Sequence, residues 1–200
     1  DNDLFRDCVV KYVVDFWEDL RVPKTWEICD TNLLFKKGDA SNPGNYRTIM
    51  KLVVQEKLVL TVIGDRLNKV IESLGADYEA QCGFRGNRGC IDAVFNLRLA
   101  LRKRKEHGHA SWVAFLDLVK AFDTISREML WVILRELGCP ERFVARIKAL
   151  HDEVIVLVRK GDAEIRCNSY GGARQGDILG PPLFNLYMAA VLLTFKELKQ

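Results

Sequence analysis

Stretches with apolar residues at helical spacing alternate along the chain with short continuous apolar runs. Apolar residues recur every three to four positions over residues 4–20, 51–74 and 91–106, so each stretch predicts an amphipathic helix. The stretch 26–35 is strand-like, and the continuous apolar run 112–118, rich in aromatic residues, predicts a buried strand. The first half of the chain therefore mixes helices with isolated strands.

The second half adds two helices and a hairpin. Ser126 is placed to cap the first of these helices. Two strand-like stretches, 154–160 and 163–170, flank the dipeptide Gly161-Asp162, a combination typical of a β-hairpin.

The last predicted helix follows a loop rich in glycine, GGARQGDILGPP, and runs towards Gln200. Its apolar run from Pro181 to Phe195 is interrupted by Asn185 and is shorter than the roughly 18 residues of a membrane span, so a buried helix is expected and no transmembrane segment. The whole order of elements favours an α+β fold over a regular βαβ series.

Composition and charge narrow the function classes. With 48% apolar and 28% charged residues the chain is neither disordered nor collagen-like. The net charge of +3 is unevenly distributed, since residues 1–35 carry −4 and residues 84–107 carry +5. The six cysteines form no C-x-x-C pair, which is typical of reduced intracellular thiols and not of a disulfide framework or a zinc site.

The stretch FLDLVKAFD, residues 115–123, carries the strongest chemical signal. Asp117 lies near the end of the predicted buried strand, where a bare carboxylate costs several kcal/mol. A metal ligand and an aspartate paired with a local arginine or capping a turn both fit this position.

Two loops combine glycines with arginines. Three glycines surround Arg174 before the last helix, an arrangement suited to a phosphate at a helix N-terminus, although an ordinary connecting loop has the same composition. Arg85 and Arg88 lie between glycines in QCGFRGNRG, where the backbone can approach a polyanion.

Four motifs follow one another: KKGD…NYRTI, QCGFRGNRG, FLDLVKAFDTI and GARQGDILGPPLFNLY. In this order the chain resembles the reverse transcriptase domain of non-LTR retrotransposons, with kinship to group II intron enzymes. The resemblance implies part of a right-handed polymerase: an N-terminal helix (1–25), a fingers-like region (26–110) and a partial palm (111–200) with an antiparallel sheet packed on helices.

The resemblance also implies roles for individual residues. Asp117 would be the catalytic carboxylate and a ligand of Mg²⁺, a hard cation that prefers oxygen. The positions that correspond to nucleotide-binding residues are Lys57, Arg85, Leu118, Phe122, Gln175 and Gly176. Those that correspond to template-binding residues are Arg47, Arg88 and Arg174.

One expected motif is absent from the sequence. The family's Y/F-x-D-D motif supplies two further metal-binding carboxylates, yet no D-D pair occurs in these 200 residues, and we expect them to lack the family's thumb as well. One carboxylate cannot hold two Mg²⁺ ions against their repulsion, so we expect no polymerisation by this chain alone and Mg²⁺ only if a longer chain supplies the missing carboxylates.

The resemblance implies an RNA template, a DNA primer and dNTP as partners. Two other functions fit the same residues. The chain could be a catalytically inactive remnant that serves as a structural subunit with protein partners, or an RNA-binding module built on its arginines. The sequence assigns no compartment beyond the intracellular one that the thiols indicate.

Overall fold

The computed structural model describes residues 2–19, 22–75, 79–152, 154–160, 163–174 and 176–197. Within them the chain is mixed α/β, with one small sheet and seven helices. The helices are α1 (Asn2–Asp19), α2 (Lys24–Glu27), α3 (Val54–Ser73), α4 (Cys90–Glu106), α5 (Arg127–Glu136), α6 (Glu141–His151) and α7 (Gly180–Glu197). The strands are β1 (Ile28–Phe35), β2 (Tyr46–Lys51), β3 (Ile155–Lys160) and β4 (Ala163–Asn168).

The four strands lie in the order β2-β1-β3-β4. β1 is antiparallel to β2 and β3 is antiparallel to β4, but β1 and β3 run parallel, with Ile28 opposite Ile155. The antiparallel sheet that we expected is therefore a mixed one. Parallel pairing needs a long connection, and the helices between β1 and β3 provide it. The predicted hairpin is confirmed in its two strands, while Gly161 and Asp162 lie outside the described residues.

The prediction of a buried strand at 112–118 is wrong. This segment has no regular secondary structure, and its Trp112 side chain is 97% exposed. A strand needs a neighbouring strand for its backbone hydrogen bonds. No strand of the described ranges pairs with residues 112–118. Hydrophobicity alone therefore did not determine its conformation.

The core lies between α3, α5, α6 and α7. α3 buries one stripe, which includes Val59, Leu60, Ile63 and Leu67, and packs against α7. The predicted cap of α5 is confirmed, since Ser126 Oγ accepts a hydrogen bond from the Met129 amide at 3.3 Å. This packing gives the loops between the helices a rigid support.

The last helix packs into the core through its first half. α7 buries Leu183, Asn185, Leu186 and Ala189, as predicted, whereas Phe195 near its end is 60% exposed. No helix within the described residues combines the length and apolarity of a membrane span. All six cysteines carry free thiols.

Candidate functional site

We call residues 169–174 and 176–180 the glycine-rich loop. This loop contacts several elements that are distant from it in the sequence. The Gly172 amide donates to the Ile125 carbonyl at 3.1 Å, and the Ala173 amide donates to the Phe122 carbonyl at 2.8 Å. These bonds join the loop to the turn that follows Asp117 in the chain. The third and fourth sequence motifs therefore lie against each other.

Two glycines let the loop approach its neighbours closely. Both have positive φ, +72° at Gly172 and +98° at Gly176. A Cβ atom at Gly172 would lie 2.6 Å from the Phe122 carbonyl oxygen, and one at Gly176 would lie 2.9 Å from the Met50 carbonyl oxygen in β2. No side chain fits at either position, because both contacts are with backbone.

A cleft of about 920 Å³ runs along β1 and β2. Its lining comes from β1, β2, β3 and the turn between the first two strands: Thr31, Asn32, Leu33, Leu34, Ala40, Ser41, Pro43, Tyr46, Thr48, Ile49, Val158 and Arg159. Ile49 also lies next to Gly176. Strand β2 therefore lines the cleft and also contacts the glycine-rich loop.

Three aromatic rings pack beside the loop. Phe122 lies 5.2 Å from Phe184 of α7 and 6.0 Å from Phe84 between ring centroids. The fully buried Asn185 holds the second motif to α7, because its Nδ2 donates to the Phe84 carbonyl and its Oδ1 accepts from Gln81 Nε2. The second, third and fourth motifs thus share one cluster.

A buried ion network underlies the glycine-rich loop. The Arg174 guanidinium is fully covered; its Nη1 donates to Glu56 Oε1 and its Nε donates to Asp177 Oδ2, each at 2.9 Å. Burial by itself would lower the pKa of Arg174, but Asp177 and Glu56 outweigh it and the pKa is raised. Arg174 was predicted to bind template. In the structure its guanidinium is buried and forms ion pairs with two carboxylates, so it does not face the solvent.

His151 and Arg127 extend this network to α5 and α6. The buried His151 ring has its Nδ1 2.9 Å from the Ile147 carbonyl and its Nε2 3.9 Å from Asp177 Oδ2. Burial, followed by the charge of Arg174, lowers the pKa of His151 to about 4, so the ring is neutral at pH 7.

Arg127 of α5 holds the first residues of the loop. Its guanidinium donates to the carbonyls of Gly172, Ser169 and His151, at 3.0, 2.8 and 2.7 Å, and to the Ser169 hydroxyl at 2.8 Å. Buried arginines therefore hold both the beginning of the glycine-rich loop, through Arg127, and its middle, through Arg174.

Asp117 and Leu118 lie in the exposed segment before this cluster. No group of three histidine, cysteine or carboxylate residues able to hold a metal ion occurs in the part of the chain that the structure describes. The residues present do not by themselves form a two-metal site, because two Mg²⁺ ions need several carboxylate oxygens.

The basic residues named from the sequence have different surroundings. Arg47 on β2 and Lys57 on α3 are exposed. Arg88 is half-exposed and pairs with Glu79 at 2.6 Å, and the covered Arg85 guanidinium forms two bonds to Glu72 of α3, at 2.7 and 3.1 Å. Gln175 lies outside the described residues.

Comparison with known proteins identifies the chain. Residues 35–199 match the family described as reverse transcriptase (RNA-dependent DNA polymerase). The chain belongs to the reverse transcriptase family.

Its relatives are retrotransposon proteins. The chain is 29% identical over 178 residues to the retrovirus-related Pol polyprotein from type-1 retrotransposable element R2 of Popillia japonica, covering 88% of the chain and 24% of that protein. It is 28% identical over 181 residues to the Pol polyprotein from type-2 retrotransposable element R2DM of Drosophila melanogaster (86% and 16%). It is 25% identical over 169 residues to the probable RNA-directed DNA polymerase from transposon BS of the same organism (84% and 18%). These relatives confirm the non-LTR retrotransposon type, and the chain spans a quarter or less of their lengths.

Four members of the ion network of this reverse transcriptase domain were not predicted from the sequence: Glu56, Arg127, His151 and Asp177. For Glu56 the sequence does contain a signal. Residue 56 falls on the same helical stripe as Val59, Leu60 and Ile63, so the periodicity that predicts α3 also places a carboxylate on its buried face. The neighbouring Lys57, which was predicted to bind nucleotide, is exposed to solvent.

Proposed function

We propose that the chain forms the nucleotide- and template-binding part of an RNA-directed DNA polymerase. The observation that supports this most strongly is the packing of the glycine-rich loop against Phe122 and β2, because it brings three separate family motifs into contact. Family membership supports the reaction class, and the contact among the three motifs supports a shared binding site for nucleotide and template.

The roles of the residues follow the family pattern. Phe122, with the backbone at Leu118 and Gly176 and the side chain of Gln175, would contact the incoming nucleotide. Arg47 and Arg88 would face template phosphates, and Lys57 and Arg85 the triphosphate, where Arg85 would first have to leave Glu72. In this proposal residues 26–110 form the fingers-like region and residues 111–200 part of the palm.

The metal chemistry needs groups beyond these residues. Asp117 would contribute one ligand to Mg²⁺, and the remaining carboxylates would come from a longer polypeptide. When bound, the ions stabilise the charge that develops on the attacking and leaving oxygens. The chain's own part is to bind and orient primer, template and nucleotide.

A second function, as an interaction subunit, is favoured by one observation. Large apolar side chains are exposed on α4 and along 112–119: Ile91, Val94, Phe95, Leu99, Trp112, Phe115, Leu116 and Val119. Large exposed apolar patches on soluble proteins mark contact sites for proteins or membranes, or ligand-binding grooves. A chain that binds no nucleic acid would support this alternative.

Binding of an RNA template annealed to a DNA primer tests the proposal. We expect the affinity of the 200-residue chain to fall roughly tenfold or more between 50 and 200 mM salt, because each phosphate contact releases counterions. Arg47→Ala and Arg88→Ala should each weaken binding. Each should also make the slope of log affinity against log salt concentration shallower by about 1, because one phosphate contact is lost. Fluorescence anisotropy measures both quantities.

Arg6→Ala is the matched control, since Arg6 is an exposed arginine on the acidic helix α1 and pairs with Asp3 and Asp7 of the same helix. It should leave binding unchanged. Absence of binding even at low salt would contradict the proposed function.

A further inference from the structure

Glu56 is a carboxylate on the apolar face of a helix. Its side chain is 2% exposed and lies on the stripe of α3 that packs into the core. It bonds to Arg174, which comes 118 residues later in the chain. The contact therefore joins α3 to the glycine-rich loop.

Arg174 is placed so that this bond controls the loop. It lies between Gly172 and Gly176, both of which lie so close to backbone atoms of other elements that a Cβ atom would not fit. Its second partner, Asp177, also accepts a hydrogen bond from the Leu179 amide at 2.9 Å, at the start of α7. Glu56 is thus the link between a rigid helix and the middle of the loop.

Stability alone does not account for a carboxylate at this position. Burial, its largest influence, raises the pKa of Glu56, which shows that the site disfavours the charged form despite Arg174. Replacing all members of a buried ion network together by apolar residues of similar volume is often neutral or stabilising. What the charged network provides beyond stability is a fixed direction for the Arg174 side chain.

We infer that Glu56 is a positioning residue, which holds the glycine-rich loop against β2 and Phe122 through Arg174. The inference rests on the proposed function in one respect, namely that this loop contacts the nucleotide. The class of ligand whose binding depends on Glu56 is then the incoming nucleoside triphosphate.

Hydrogen exchange of the 200-residue chain tests the positioning directly. Glu56→Met keeps the side-chain length and removes the acceptor for Arg174. We expect the amides of Gly172, Ala173 and Leu179 to exchange about tenfold faster, with the amides of α6 unchanged. Glu56→Gln, which retains an acceptor oxygen, should recover most of the protection.

Val59→Ala is the control for a general loss of stability, because Val59 lies one turn along the same buried stripe. It should change exchange in the loop and in α6 by the same factor. Equal loop protection in Glu56→Met and the unaltered chain would overturn the inference and leave the proposed function untouched.

A kinetic measurement separates the inference from the proposed function. In a polypeptide that also carries the paired carboxylates, Glu56→Met should raise the KM for dNTP about tenfold with kcat within about twofold, because the loop acts in binding. Faster loop exchange with an unchanged KM would contradict the nucleotide role of the loop, whereas a raised KM restored by Glu56→Gln supports both.

Discussion

Arg174→Met should destabilise the fold by about 3–5 kcal/mol, because it leaves the buried carboxylates of Glu56 and Asp177 without their cation. Both carboxylates lie in the core, so neither can recover its hydration without opening the loop. Urea unfolding followed by circular dichroism measures the loss, which should be independent of salt since the network is shielded from solvent.

Arg135→Met is the matched control for this substitution. Arg135 forms an even shorter pair, 2.6 Å to Glu141, but both side chains are exposed to solvent, so the loss of stability should be far smaller than for Arg174→Met. The double variant Glu56→Met/Arg174→Met should be more stable than Arg174→Met alone, because one stranded charge is removed. Similar losses in the free energy of unfolding for Arg174→Met and Arg135→Met would contradict the prediction, because the buried network would then stabilise the fold no more than an exposed ion pair does.

The stability of the chain should fall as the pH decreases from about 6.5 to about 4. His151 has a pKa of about 4 in the folded chain and an ordinary pKa of 6.5 in the unfolded chain. Between these two pH values the unfolded chain binds a proton at His151 and the folded chain does not, so protonation favours unfolding. The loss amounts to about 3 kcal/mol in total, and the full contribution is present above pH 6.5.

His151→Gln isolates this contribution, since it removes the titrating ring and leaves the other acids and bases in place. Urea unfolding at pH 7, 5.5 and 4.5 should show a decline in the free energy of unfolding between pH 7 and 4.5 that is about 2.5 kcal/mol smaller in the variant. Parallel curves for the two proteins would mean that His151 is protonated as easily in the fold as in the unfolded chain.

The helices could be predicted because their signals are local. Apolar spacing and the Ser126 cap lie within a few residues of the turns that they stabilise, and α5 begins where that cap predicts. The strands were harder. β2 was not predicted, although YRTIMK contains residues that favour strands, because its pairing with β1 across the turn is what makes it a strand.

The residues 112–118 illustrate the opposite error. Their composition favours a strand, but a strand is completed by hydrogen bonds to a neighbour, and composition does not supply one. The ion network shows the same limit for the site. Arg174 and Asp177 are three residues apart and could be paired from the sequence, whereas Glu56 reaches Arg174 only through the packing of α3 on the loop.

Primer extension by the purified 200-residue chain tests the proposed function together with the role proposed for Asp117. In this proposal the chain binds template, primer and nucleotide, and Asp117 is one metal-binding carboxylate that needs others from a longer polypeptide. We expect the chain to bind an RNA template annealed to a DNA primer and, with dNTP and Mg²⁺, to add no nucleotide. Mg²⁺-dependent extension that disappears in Asp117→Asn would contradict the account.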